Sequence, residues 1–536
     1  MDSNRGDLIL YNGRIYTLDP SQPLVSAVAV QAGRIVYCGT DADARACLPN
    51  CPPENMVDLK GACVIPGLTD AHLHFEWFSM GLQQVNAETE TLDQALAAVK
   101  KHAASLPPGR WVTGTGWNHN VWGGAYPSAG DLDRVAPANP VALDAKSKHA
   151  VWVNSRAMQL AGIGAGTPDP PSGKILRDSS GAPTGILLES AVPLVKRVIP
   201  EPGPEEIARA MLHGQSVAHR HGLTGVHCMD GAAALQAFQL LHAGGELSLR
   251  VVKSIPLENL DAALKLGVRT GLGDDLLRIG GVKMFADGAL GPRTAWMLTD
   301  YDADPGNSGI STAPVEVLRD AVLRANRGGL ATNIHAIGDR ANREVLDIYA
   351  QAARELGPTG LRNRIEHVQL LSPQDYGRLA ELGIIASMQP IHATSDMYIA
   401  DRYWGSRAAG SYALKTQLEG GAVLALGSDC PVETLDPLAG IHAAVTRRRA
   451  DGSPGEAGWY AEQRLSVDQA VRGYTAGPAY AAHLEDRLGR ISAGMLADMT
   501  ILARDIFTIH PMEILSAAVL GTVTGGAFAW RSDALS

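Results

Sequence analysis

Short apolar runs separated by turn residues fill the first 65 positions of the chain. Runs such as Leu8–Leu10 and Ser26–Val30 are typical of strands, and Asn12-Gly13 is typical of a hairpin turn. The end of the chain repeats this pattern, with strand-like runs on either side of a Gly-Gly turn. We therefore predict that residues 1–65 and 485–536 together form one composite β-sandwich, built from both termini.

Between these pieces, apolar strand-like runs alternate with helical stretches, many of which begin at Pro or an acidic residue. The first strand reaches His72 and His74, and seven more are predicted at Thr224–Cys228, Leu249–Ile255, Gly281–Ala286, Ala331–His335, Arg364–Val368, Ile384–Met388 and Val423–Gly427. Eight alternating units over about 250 residues, insertions excluded, match an α/β fold of the (β/α)8 TIM barrel type. We place this barrel at residues 66–484. The rival is a doubly wound open sheet, but no Gly-x-Gly-x-x-Gly phosphate loop follows the first strand.

A long interval separates the first two barrel strands, about 150 residues where one βα connection needs far fewer. We predict an insertion at about 76–202, which carries five of the nine tryptophans. It leaves from the strand end where active sites of this fold lie, so a lid or pocket wall is its functional interpretation. Most of these tryptophans are expected to pack the insertion's own core. Trp117 and Trp122, in a loop rich in Gly and Asn, are the candidates for a wall of the substrate pocket.

Composition narrows the class of protein. The 536 residues are 46% hydrophobic and carry a formal charge of −10, which argues against nucleic acid or an anionic membrane as a partner. The one basic run, Arg447-Arg448-Arg449, is interpreted as a solvated loop or helix end. The six cysteines include no Cys-x-x-Cys pair. A polar N-terminus and the lack of an apolar run of about 18 residues lead us to expect a soluble cytoplasmic protein.

The candidate chemistry begins with His72 and His74. They stand two residues apart on a strand, so both imidazoles face one side, as the first two ligands of a Zn²⁺-type ion would. Taken singly, each further polar residue on a strand could be an ordinary core residue. Together, they end several strands at one rim of a barrel and suit a two-metal hydrolytic site: Lys283, His335, His367 and Asp429. Glu366 precedes His367 on its strand and is expected to face the helices.

Lys283 needs a separate explanation, because divalent cations repel an ammonium group. Burial near positive charge lowers the pKa of a lysine, and the neutral amine can then add CO₂ to become an anionic carbamate. The alternative is that Lys283 remains an ammonium and pairs with Asp287, four residues later.

Five motifs in order along the chain resemble those of the amidohydrolase superfamily, and specifically its YtcJ-like branch. They are Pro66–His74, Val282–Gly288, His335–Asp339, Arg364–Gln369 and Gly427–Val432, and the resemblance extends over nearly the whole chain. It implies that His72, His74 and Asp429 hold the more buried of two divalent metals, with Zn²⁺ expected. It also implies that His335 and His367 hold the more exposed metal and that carboxylated Lys283 bridges the two. The composite sandwich is part of the same resemblance.

The expected activity is hydrolysis of a carbon–nitrogen bond other than a peptide bond, in a small amide, N-acyl or formamide substrate. A metal-bound hydroxide would attack the carbonyl, with Asp429 as general base and acid. Arg293 is a candidate for binding a substrate anion and His392 for binding the oxyanion. The same metals could instead hydrolyse esters, lactones or phosphoesters, and some relatives of this fold are non-catalytic structural proteins. A homodimer is the assembly we expect.

Overall fold

The structure is a computed structural model that describes residues 6–535. The chain divides into two compact units, of which the first contains the residues up to Phe78 and those from Ile207 onward. The second unit is Ser79–Glu206, whose bounds lie within four residues of the predicted insertion. Among the described residues, no helix is both long enough and apolar enough to cross a lipid bilayer.

The strands β1 to β24 are, in chain order, Leu8–Tyr11, Arg14–Tyr16, Leu24–Val25, Ala27–Gln31, Arg34–Gly39, Met56–Asp58, Cys63–Pro66, Leu68–Leu73, Val85–Asn86, Val112–Trp117, Val141–Ala145, Ala150–Val153, Gly173–Arg177, Pro183–Glu189, Leu223–Cys228, Arg250–Pro256, Leu277–Phe285, Ala331–Ala336, Arg364–His367, Ile385–Met388, Leu424–Leu426, Met499–Leu502, Val519–Thr524 and Ala527–Arg531.

The helices α1 to α17 are Asp41–Cys47, Phe75–Gly81, Leu92–Ala104, Ala129–Val135, Ser155–Leu160, Pro193–Lys196, Pro204–Arg220, Ala232–Ala243, Leu260–Lys265, Val315–Arg327, Asp339–Leu356, Arg378–Glu381, Pro390–Trp404, Leu414–Glu419, Pro437–Thr446, Val467–Gly473 and Ala476–Ala481. Several begin at proline, whose fixed φ suits the first turn. Helix α11 ends at Gly357, which adopts φ +67°, a conformation that glycine reaches without strain.

Strands β8 and β15 to β21 form an eight-stranded parallel sheet in sequential order. Each of the eight predicted strands is present, with ends that shift by up to four residues. The sheet nearly closes, because backbone hydrogen bonds join the end of β8 and the residue after it to the segment that follows β21. Asp429 N donates to His72 O at 2.8 Å, and His74 N donates to Cys430 O at 2.8 Å. The prediction of a (β/α)8 barrel is confirmed at this level.

Two further sheets contain strands from the chain ends. One has the order β5-β4-β1-β6, and the other, β24-β23-β22-β7-β2-β3, joins strands from both termini. Their apolar faces share one core, which includes Leu10, Val28, Val64 and Ile501. These strands lie in the same compact unit as the barrel. A separate terminal β-sandwich domain stays a prediction.

The second unit has a sheet and a core of its own. Its six strands have the order β13-β14-β12-β11-β10-β9. Trp117 and Trp152 are buried in this core, with ring centroids 6.3 Å apart, and Trp122 packs against Trp152 from the edge. These three tryptophans therefore serve first to bury the insertion's own sheet, whereas Trp77, also within the predicted insertion, lies in the first unit and is 57% exposed.

A buried ion pair connects the barrel to the residue just before β22, a strand of the sheet that joins both termini. The guanidinium of Arg250, on β16, binds both carboxylate oxygens of Asp498, at 2.5 Å from Nε and 2.8 Å from Nη2. Both residues are less than a tenth exposed. Asp498 also accepts the backbone N–H of Gly525, so one carboxylate joins three segments.

We predict that Asp498→Ala lowers the free energy of unfolding by about 3–5 kcal/mol, because it leaves the buried Arg250 charge without its partner. Denaturant titration of the purified protein measures the change. The matched control is Glu419→Ala, which breaks the exposed pair with Lys415 and should change stability by less than about 1 kcal/mol. Equal effects of the two substitutions would contradict the prediction.

Candidate metal centre

Three of the predicted ligands come together in the barrel mouth. Ligand atoms of His72, His367 and Asp429 all lie within 4.8 Å of one another, and the three residues are buried. The Nε2 atom of His72 is 3.4 Å from Oδ1 of Asp429. Both atoms are buried and have no hydrogen-bond partner among the described residues. Buried polar atoms of this kind need a partner, and two imidazoles with a carboxylate suit a divalent ion such as Zn²⁺.

His72 is oriented by a carboxylate that the sequence analysis assigned to the wrong face. Oε2 of Glu366 lies 2.6 Å from Nδ1 of His72, which can donate to it and so leave Nε2 free. Glu366 is fully buried inside the barrel, where Arg364 also binds it. The expectation that Glu366 faces the helices was wrong.

The reason lies in the backbone at the end of β19. Strand alternation does point Glu366 and its neighbour His367 to opposite sides. His367, however, adopts φ +77° and the next residue, Val368, adopts φ +45°. This left-handed turn brings the His367 ring back into the mouth, where Nδ1 lies 2.8 Å from Oε1 of Gln389. Asp429 is also left-handed, with φ +60°. Non-glycine residues held in this region are often functional.

His74 lies between two carboxylates. Its Nε2 is 3.4 Å from Oδ1 of Asp429, and its Nδ1 is 3.3 Å from Oδ1 of Asp230. Burial lowers the pKa of His74, but these two carboxylates outweigh it and raise the pKa to about 9. Burial alone would raise the pKa of Asp429, but the His72 and His74 imidazoles beside it outweigh this effect and hold the pKa well below its usual range. The position between these two carboxylates therefore favours positive charge, which a bound cation could supply in place of the His74 proton.

Lys283 is buried in β17, and its Nζ has no hydrogen-bond partner among the described residues. Burial lowers its pKa to about 8, which makes the neutral amine accessible. The alternative partner, Asp287, is engaged elsewhere, because its carboxylate accepts the backbone N–H groups of Trp296, Ile337 and Gly338. The ion pair between Lys283 and Asp287 is absent from the described structure.

His335 borders the three-ligand cluster. Its ring centroid is 4.6 Å from that of His367, and its Nε2 lies 2.9 Å from the carbonyl oxygen of Gly288. Burial and the nearby Lys283 lower its pKa to about 3, so the ring is neutral, as a metal ligand must be. The six predicted ligands thus meet at one rim, although only three form the tightest group.

The three predicted substrate-binding residues differ in whether their polar groups or surfaces are open to a substrate. His392, at the start of α13, is buried with Nε2 3.9 Å from Oδ2 of Asp429. Trp117 is 1% exposed and donates its indole N–H to Leu143 O, so it has little surface to offer a substrate and is reassigned to the insertion's core. The Arg293 guanidinium forms an ion pair with Asp304 at 2.8 Å. It therefore already has an anionic partner in place of the expected substrate anion.

Three residues that orient the ligands were not among the predicted site residues: Asp230, Glu366 and Gln389. Asp230 lies two residues after the end of β15, and Gln389 directly follows β20. Their position at barrel strand ends was a usable signal, since metal-binding histidines almost always donate their second nitrogen to such groups.

Comparisons with known proteins agree with this geometry. Residues 55–529 match the amidohydrolase family. The chain is 32% identical to the protein YtcJ of Bacillus subtilis (strain 168), over 98% of this chain and 99% of that protein. It is 30% identical to N-substituted formamide deformylase of Arthrobacter pascens, over 98% of each. It is also 34% identical to Protein LONG AFTER FAR-RED 3 of Arabidopsis thaliana, over 97% of this chain and 91% of that protein.

A solved structure shows the same fold. The crystal structure of an uncharacterized metal-dependent hydrolase from Pyrococcus furiosus has a TM-score of 0.77 and 30% identity, with coverage of 94% of this chain and 100% of that one. The family match spans most of the chain, and the buried His-His-Asp cluster lies where a barrel of this type carries out its chemistry. The chain therefore belongs to the amidohydrolase family and is a metal-dependent hydrolase.

Proposed function

We propose that this protein hydrolyses the carbon–nitrogen bond of a small amide, with N-substituted formamides as the first class to test. The observation that carries the proposal is a set of polar side chains next to the candidate ligands, with His392 beside Asp429, Gln389 beside His367, and Gln369 beside His392. Nε2 of His392, Oε1 of Gln369 and Nε2 of Gln389 are all buried and lack partners among the described residues. A neutral amide offers both a carbonyl and, in many cases, an N–H to such groups. The name of the Arthrobacter pascens relative supports the same class.

The protonation of His392 follows from its neighbour. Gln369 Nε2 lies 3.3 Å from His392 Nδ1, and an amide nitrogen can only donate. Nδ1 therefore accepts, and the ring proton resides on Nε2, which faces Asp429. In this state His392 can donate to the carbonyl oxygen of a substrate as negative charge develops there. A phosphoester would instead favour several free cations, and Arg293 is already paired.

Asp429, His72 and His74 would hold one divalent cation, and His335 and His367 a second. Such a cation supplies Lewis acidity, which polarises a carbonyl and makes water a stronger acid. Asp429 is held ionised by its histidine neighbours, so it can accept the proton of the attacking water. It then passes that proton to the leaving nitrogen, which departs as the neutral amine.

Lys283 would contribute as a carbamate. Its neutral Nζ attacks the carbon of CO₂, forms one N–C bond and releases one proton, which leaves an anionic carboxylate on the side chain. The buried, unpartnered Nζ and the lowered pKa support this step. The product has two oxygens available as ligands, whereas an ammonium has none.

The first prediction tests the reaction class. We expect the zinc-loaded protein to hydrolyse some N-substituted formamides or other N-acyl amides in a screen that also contains esters, lactones and phosphoesters. Asp429→Asn should lower kcat by at least about a hundredfold, because it removes the proton acceptor. The exposed Asp486→Asn is the matched control. Turnover of phosphoesters alone, or an unchanged rate in Asp429→Asn, would count against the proposal.

A second prediction concerns Lys283. Lys283→Ala should lose bound metal and activity, and a small carboxylic acid such as propionate should restore part of both by replacing the carbamate. Lys265→Ala, at the exposed end of α9, should change neither. In the wild type, ¹³CO₂ labelling should give a carbamate signal by NMR. A metal-loaded, active enzyme without that signal would refute the bridging role.

A third prediction concerns Glu366, which acts through His72. Glu366→Gln should weaken metal binding about 10- to 100-fold, since the amide cannot hold Nδ1–H as a carboxylate does. Competition with a chelator of known affinity measures the change. Glu355→Gln, on the exposed part of α11, is the control. Retained metal affinity in Glu366→Gln would show that the contact is structural only.

A further inference from the structure

A cavity of about 300 Å³ lies between α13 and α15, and none of the candidate metal ligands lines it. Its apolar lining includes Ile391, Ala443 and Leu515, and its polar lining includes His442, Arg448 and Arg449. This volume is at the lower end of the range for small-molecule sites. No step of the proposed reaction uses this cavity.

The two arginines belong to the only basic run of the chain. The run lies at the end of α15, as one of its two interpretations had it, but Arg447 is not solvated: it is buried and donates to the carbonyl oxygens of Trp459 and Tyr412. These hydrogen bonds of Arg447 hold the backbone of the basic run beside the cavity. Arg448 and Arg449, which follow, are only partly buried.

Both cavity arginines are held in place by neutral groups. Nε of Arg448 donates to Gly452 O at 3.1 Å, while Nε and Nη2 of Arg449 donate to Thr394 O and Ser395 O, both at 2.8 Å. Among residues 6–535, no carboxylate forms an ion pair with either side chain. Asp451, two residues after Arg449 in the chain, is exposed and accepts from Ser453 N and Oγ. Two oriented guanidinium groups thus keep free N–H donors.

His442 adds a third polar group. It is 2% exposed, and its Nε2 is buried with no hydrogen-bond partner in the described part of the chain. Burial and the charge of Arg448 lower its pKa to about 4, so the ring is neutral at pH 7. An unpaired buried nitrogen is unfavourable unless a ligand or water satisfies it.

We propose that this cavity binds a small oxyanion, a carboxylate or phosphate, between Arg448 and Arg449, with any short apolar tail against Ala443 and Leu515. The guanidinium fork matches the geometry of either head group. Neutral His442 can donate one further hydrogen bond without a charge of its own. The site is independent of the proposed amide hydrolysis, although α13, which lines it, also carries His392.

Calorimetric titration of the metal-loaded full chain with butyrate, and separately with inorganic phosphate, tests the proposal at constant ionic strength. We expect saturable binding of at least one of them at millimolar concentrations or below. Arg448→Gln and Arg449→Gln should each weaken it at least tenfold, and His442→Phe should also weaken it, because phenylalanine has no ring nitrogen to bind the anion. Butyrate alone would identify a carboxylate site, and phosphate alone a phosphate site.

The matched control is Arg354→Gln, an exposed arginine near the end of α11, which should bind as the wild type does. Metal content, measured in every variant, should stay constant, so that a lost binding event cannot be assigned to the metal centre. Absence of binding in the wild type would overturn the proposal. So would equal binding by wild type and both arginine variants, because the anion would then occupy another site, including the metals themselves.

Discussion

One buried carboxylate, Asp70, holds the barrel and its metal site in register. Its Oδ1 accepts the backbone N–H of His72 at 3.0 Å and that of Ser428 at 3.1 Å, and Ser428 Oγ donates to its Oδ2. The first strand and the segment after the last strand are therefore joined directly beside two ligands. Gly427 makes this possible, because a Cβ there would stand 2.5 Å from Oδ1 of Asp70 and 2.6 Å from His72 N. The contacts that bring the two ends of the sheet together therefore also position the metal centre.

Buried charge in the barrel interior is balanced locally. Arg364 binds Glu366, the carbonyl oxygen of Ala71 and the hydroxyl of Ser387, and it contacts Nδ1 of His227. The pKa of Glu366 lies well below its usual range, because Arg364 and then His72 outweigh its burial. An ionised glutamate can therefore persist in the interior and orient His72. The low dielectric that makes such groups unfavourable when alone also makes the paired network rigid.

The barrel and its candidate ligands could be predicted from the sequence, because both depend on the local pattern of apolar and polar residues. Apolar runs define strands, and His72, Lys283, His335, His367 and Asp429 stand at strand ends that a closed parallel sheet must bring to one rim. Errors arose where a side chain's direction depends on partners distant in sequence. Glu366 turned inward toward His72 and Arg364, whereas Trp117 filled the core of its own unit. Arg447 gained backbone acceptors that no local pattern shows.

The sequence by itself determined the order of strands and helices, the family, and which residue types stand at the barrel mouth, because periodicity and motif spacing are properties of the chain alone. Only the tertiary structure decided which ligands form the tightest group, which groups orient them, and that Lys283 has no acidic partner among the described residues. These features depend on distances between residues far apart in the chain. They depend also on left-handed backbone at His367 and Asp429, a conformation that is uncommon for residues other than glycine.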